Sequence, residues 1–67
     1  MKRKDLANKL SALAKQYGES ITWSEGGNHS KVTIGNIMTA IPRHTEINEI
    51  TAKQIIKYFE RKLNEQH

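Results

Sequence analysis

Sixty-seven residues make room for one domain with a small core, since a chain this short buries only about 60% of the surface its unfolded form exposes. Cysteine is absent, which removes disulfides, thiolate metal sites and a cysteine nucleophile, and fits a reducing compartment such as the cytoplasm. The formal net charge of +4 draws so small a domain toward polyanions such as RNA or DNA, although many small proteins carry such a charge for solubility alone.

The basic start, Met1-Lys2-Arg3-Lys4, precedes no long apolar run, so neither a targeting signal nor a membrane span is expected. The first helix is predicted over residues 4–17. Leu6, Leu10, Leu13 and Tyr17 recur at spacings of four, three and four and form one apolar stripe, widened by Ala7 and Ala14. Asp5 suits the positive end of this helix, and Gly18 is a natural stop. Lys2, Arg3 and Lys4 are either a frayed, solvated terminus or a phosphate contact.

Alternation then replaces helical periodicity. Ser20 to Ser24 forms a first strand, and Glu25-Gly26-Gly27-Asn28 a flexible connection. Lys31 to Ile34 and Ile37 to Ile41 alternate again around Gly35-Asn36, two small residues that predict a tight hairpin with positive φ angles. That turn sets a register in which Ile34 opposes Ile37, Val32 opposes Thr39 and Ser30 opposes Ile41, all on one face. His29, Lys31, Thr33, Met38 and Ala40 then share the other, open face.

Pro42 ends the third strand because it cannot donate to a ladder. Arg43 to Glu49 is a polar connection. The second helix is predicted over residues 51–64. Thr51 and Gln54 form a capping box, with Ile50 and Ile55 as a hydrophobic staple. Ile55, Ile56, Phe59 and Leu63 make its buried stripe. Arg61 and Lys62 suit its negative end, and Lys53 and Lys57 lie one turn apart on its solvated side. The expected class is α+β: α-β-β-β-α, a three-stranded antiparallel sheet with both helices on one face.

Cutting RNA without a metal needs a base for the 2′-hydroxyl, an acid for the leaving 5′-oxygen, and cations for the charge growing on phosphorus. Histidine does either proton task near neutral pH. His29 follows two glycines that permit close approach of a phosphate backbone, and Lys31 shares its face. The competing reading is a surface histidine beside a hairpin loop. His44, with Arg43, follows the third strand and can come near His29, either to bind phosphate, to supply a second proton-transfer group, or simply as exposed loop. Trp23 and Tyr17 suit base stacking, but both fit the core better. His67 is expected to be inert. The carboxylates form no metal-site spacing, and no nucleotide-binding glycine loop is present, so neither a metal nor a cofactor is implied.

The helix closing at Tyr17-Gly18, the Gly26-Gly27-Asn28-His29 element and Ile41-Pro42-Arg43-His44 together resemble the HicA-type toxins of bacterial toxin–antitoxin pairs. The resemblance spans almost the whole chain. Here Asn28 stands where the family usually has serine, and Ser30 where a second histidine is common. The resemblance implies a double-stranded-RNA-binding-domain-like fold and a ribonuclease that acts on messenger RNA, halts translation and growth, and is masked by a HicB-type antitoxin. It makes His29 the catalytic residue. Gly27, Asn28, Lys31, Arg43 and His44 become its RNA-binding neighbours. The readings that compete with it are a noncatalytic RNA-binding module and a protein-binding partner without nuclease activity.

Overall fold

The computed structural model describes residues 1–66. The expectation for His67 lies outside them. Helix α1 (Arg3–Gln16) is followed by strands β1 (Ile21–Gly26), β2 (His29–Ile34) and β3 (Ile37–Pro42), and by helix α2 (Glu49–Gln66). The sheet is antiparallel in the order β1-β2-β3, as the alternating segments predict. Both hairpins turn on two residues. Gly27 and Gly35 have φ of 55° and 63°, while no non-glycine residue among those described has positive φ. Positive φ at the first central position alone is the sign pattern of a type II′ turn, which matches the twist of the strands it joins.

The register of β2 and β3 is the expected one: Ile34 opposes Ile37, Val32 opposes Thr39 and Ser30 opposes Ile41. Ser30, Val32, Ile34, Ile37 and Ile41 are buried, and the stripes of both helices cover them: Leu6, Leu10, Leu13 and Ala14 from α1, and Ala52, Ile55, Phe59 and Leu63 from α2. Both helices therefore occupy one face of the sheet. Tyr17 and Trp23 are half-buried and pack against this core.

Local chemistry explains most element ends. After α1, Gly18 takes a φ of 68°. Its N–H donates to the Lys15 carbonyl and that of Glu19 to the Ala14 carbonyl, the pair of bonds by which a Schellman motif supplies donors to the last carbonyls of a helix. The β1 strand runs to Gly26 rather than ending at Ser24, because the two-residue turn lets Glu25 and Gly26 pair with Ser30 and His29. The expected four-residue flexible connection shrinks to Gly27 and Asn28.

The start of α2 differs more. The helix begins at Glu49, not near Thr51, and the Asn48 side-chain oxygen accepts the Ile50 N–H at 2.8 Å. Asn48 is thus the cap, and Thr51 lies within the helix. Ile50 is exposed, so the expected staple does not form. Asparagine caps as well as threonine does, and the earlier start lets Ile47 enter the core. Asn48→Ala is expected to cost about 1 kcal/mol of stability, measurable as a lowered urea midpoint at unchanged slope. Thr51→Ala should cost much less.

The amino-terminal residues are tied down rather than frayed. Arg3 N–H donates to the Thr45 carbonyl, and Ile47 N–H donates to the Met1 carbonyl. The Met1 ammonium donates to the Ile47 carbonyl and to Glu49 Oε1, at 2.9 and 2.8 Å, and lies 3.4 Å from Glu46 Oε1. The hydrogen bond to Glu49 is the main cause that raises the amine above its ordinary pKa of 8.0, and the same bond is the main cause that lowers Glu49 below 4.5. The raised amine stabilises the fold fully below its ordinary value, and the effect is lost as pH climbs through the raised one. The lowered carboxyl stabilises it above 4.5, and that is lost as pH falls through the depressed value. For the chain beginning at Met1, stability should therefore be flat between these ordinary values and decline on both sides, by a small amount because solvent screens the pair. Glu49→Gln should flatten the alkaline decline in a thermal-melt series against pH.

Candidate active site

His29 opens β2, the central strand, and is exposed. The residue opposite it on β1 is Gly26, which has no side chain; the residue opposite on β3 is Pro42. The imidazole is thus open on the β1 side and walled on the β3 side. Lys31 stands two positions along, on the same face and exposed, about 7 Å away along the strand. Its neighbours across the sheet are Ser24 and Ala40. By register, Thr22, Thr33 and Met38 complete the open face. No acidic residue of the three strands stands on it.

The one acidic residue of the strands, Glu25, opposes Ser30 and shares its helix-covered face. There it joins a polar chain. The fully buried Ser30 hydroxyl donates to Glu25 Oε2 at 2.6 Å and accepts a short hydrogen bond from the Arg3 guanidinium. The Arg3 group also lies 3.7 Å from Glu25 Oε1, and stacks over Trp23 at 5.4 Å. Arg43 Nε is 3.5 Å from Glu25 Oε2, and Arg43 Nη1 donates to the Gly27 carbonyl at 3.1 Å. A buried hydroxyl without partners would cost about 1–3 kcal/mol, so Ser30 belongs to this arrangement. The chain links the first turn of α1, the ends of β1 and β2, and the segment after β3. All four surround the Gly27-Asn28 turn that presents His29.

Arg43 therefore reaches the site through the turn, with its guanidinium engaged by Gly27 and Glu25. Asn28 is exposed at the turn itself. His44 is exposed in the segment after β3, and no hydrogen bond among the described residues joins it to His29. The structure thus groups His29 with Lys31, Gly27 and Asn28, makes Arg43 a brace behind them, and leaves His44 in the segment that follows β3 from Pro42, the residue opposite His29. No group of three or more His, Asp or Glu that could hold a metal ion occurs among the described residues.

A shallow groove of about 350 Å³ begins at His29 and passes over β3, by Thr39, Ala40 and Pro42, to Thr51, Gln54, Ile55 and Tyr58 of α2. The helix residues were not singled out as site residues from sequence. Their signal is the helical spacing of positions 51, 54 and 58, which share a flank that borders the buried stripe at Ile55. What sequence could not show was that this flank meets the edge strand β3 beside His29.

The fold and the site define a small α+β protein that presents a histidine and a lysine on an acid-free sheet face, next to a glycine turn held by an arginine. Set against protein-family models, curated proteins and solved structures, the chain matches none of them. No helix among the described residues is long and apolar enough to cross a membrane.

Proposed function

We propose that this chain is the toxin of a toxin–antitoxin pair, a HicA-like endoribonuclease that cleaves messenger RNA in the cytoplasm without a metal and so stops translation and growth. The observation that carries the reading is the placement of His29: exposed, paired with Gly26, and beside Lys31 on a sheet face that bears no acidic strand residue. A phosphodiester approaching over Gly26 meets no side chain there. His29 exchanges the proton of the 2′-hydroxyl or of the departing 5′-oxygen. Lys31 offsets the charge on the phosphorane. The Gly27-Asn28 turn shapes the approach, and Arg43 holds that turn.

Attack by the 2′-oxygen on phosphorus forms one P–O bond as the bond to the 5′-oxygen breaks, and the proton lost by the first oxygen is balanced by one gained by the second. The products are then a 2′,3′-cyclic phosphate and a free 5′-hydroxyl. The open face is also where a HicB-type antitoxin would mask the site, by covering His29 and Lys31.

The test is incubation of the purified chain with a defined single-stranded RNA in a chelator, with the product ends analysed. Cleavage leaving cyclic phosphate is the expected result. RNA bound but left whole would replace this reading with that of a noncatalytic RNA-binding module.

A further inference from the structure

The groove that begins at His29 does not end at Tyr58. A second and larger one, about 600 Å³, is lined by Tyr17, Gln54, Lys57, Tyr58, Glu60, Arg61 and Asn64. The two share Gln54 and Tyr58, so they form one path from the sheet edge along the flank of α2. We propose that this second groove is a subsite for unpaired RNA: it takes a nucleobase against Tyr58 and the adjoining phosphates on Lys57 and Arg61. The proposal rests on the reading of His29 as the catalytic residue and says where the strand runs beyond it.

Three features argue for a nucleic acid strand as the occupant. Tyr58 is half-buried, and its ring meets Phe59 edge-on at 5.6 Å between centroids. The ring is therefore held by the core while part of it faces the groove. A fixed aromatic surface stacks any base without regard to sequence. Tyr17 also lines this groove. Next, Lys57 and Arg61 are exposed and four residues apart, which puts both cations on the groove side of one helix, about 5–6 Å apart at Cβ. Glu60 also lines this groove, so two cations stand there against one carboxylate and a positive excess remains. Finally, the size falls within the range of about 300–1,000 Å³ usual for small-ligand pockets, and Gln54 and Asn64 supply amides that both donate and accept at a base edge.

Binding is best measured in the His29→Ala background, where the strand stays intact, using a fluorescein-labelled ten-nucleotide single-stranded RNA and anisotropy. Tyr58→Leu should weaken binding about 5- to 150-fold, the range for loss of one stacked base. Tyr58→Phe should restore it, because the ring remains. Lys57→Ala with Arg61→Ala should lower the slope of log affinity against log salt by about 1.4, two single-strand phosphates' worth. These two residues are exposed, so this pair stays informative even where Tyr58→Leu unfolds the domain, which circular dichroism would reveal. Unchanged affinity and slope in the double variant overturn the subsite, and the face then remains available to a protein partner. If the parent cuts RNA while that happens, the His29 reading stands alone. If the parent cuts nothing but binds RNA through Tyr58, Lys57 and Arg61, the subsite stands and the nuclease reading falls. A parent that neither binds nor cuts RNA overturns both.

Discussion

His29→Ala is expected to abolish RNA cleavage and cellular toxicity while leaving the fold and RNA binding largely intact. Proton transfer by a positioned side chain typically contributes roughly 100-fold to 10,000-fold to rate, so the loss should be large. The structure also says why it should be clean. The imidazole is exposed and makes no hydrogen bond or ion pair among the described residues, so its removal leaves no cavity and no orphaned partner. Substitutions at such surface positions usually change stability by no more than about 0.5 kcal/mol. Lys31→Ala should behave differently, weakening phosphate contact and reducing the salt dependence of binding by about one single-strand charge, a slope change near 0.7. The measurement is metal-free cleavage of a defined RNA by parent and variants, with urea unfolding curves as the control. A His29→Ala protein that folds normally and cuts at near the parent rate would remove this residue from the mechanism, and His44 would be the next histidine to substitute.

Phe59→Ala should come close to unfolding the domain. Phe59 is the largest fully buried side chain and has no exposed surface. It belongs to the stripe by which α2 covers the sheet, and its ring also supports Tyr58. Truncating a buried phenylalanine to alanine costs about 3–5 kcal/mol, through lost transfer energy and the cavity left behind. A domain of this length has roughly 3–10 kcal/mol in total, at 0.05–0.15 kcal/mol per residue. The variant should therefore show a greatly lowered urea midpoint or no cooperative transition at 37 °C. Met38→Ala on the open face, where the side chain is 54% exposed, should leave the midpoint almost unchanged. A midpoint shift for Phe59→Ala as small as that of Met38→Ala would mean that α2 does not pack on the sheet through this residue.

Within the site, the legible and illegible parts divide by sequence distance. His29 and Lys31 share the open face because they are two apart on one strand, and the two-residue Gly35-Asn36 turn fixed which face that is. The glycines before His29 pointed to a turn, although not to its two-residue length. The role of Arg43 was different in kind. Its sequence context points to phosphate, and the structure adds contacts to Gly27 and Glu25 that no spacing rule predicts. Register places Ser30 on the core face, but its burial as a hydroxyl depends on partners that the β2–β3 register does not supply: Glu25 across the first hairpin and a distant arginine. Arg3, 27 residues away, supplies one of its two partners.

The sequence by itself determined the order of elements, the antiparallel pairing of β2 with β3, and the faces on which Val32, Ile34 and His29 lie. Those follow from periods of 3.6 and 2 and from turn chemistry, which act between residues a few positions apart. Only the tertiary structure decided that residues 1–3 pair with residues 45–47, that Ile47 is core, and that α2 begins at an Asn48 cap. It also decided that the flank of α2 bearing Tyr58 lies along the edge strand β3, in one groove with His29. The physical reason is common to all of these. Local propensity left Asn48 and Thr51 nearly equivalent as caps, and buried area and long-range hydrogen bonds, such as the one from Met1 to Ile47 across 46 residues, selected between them.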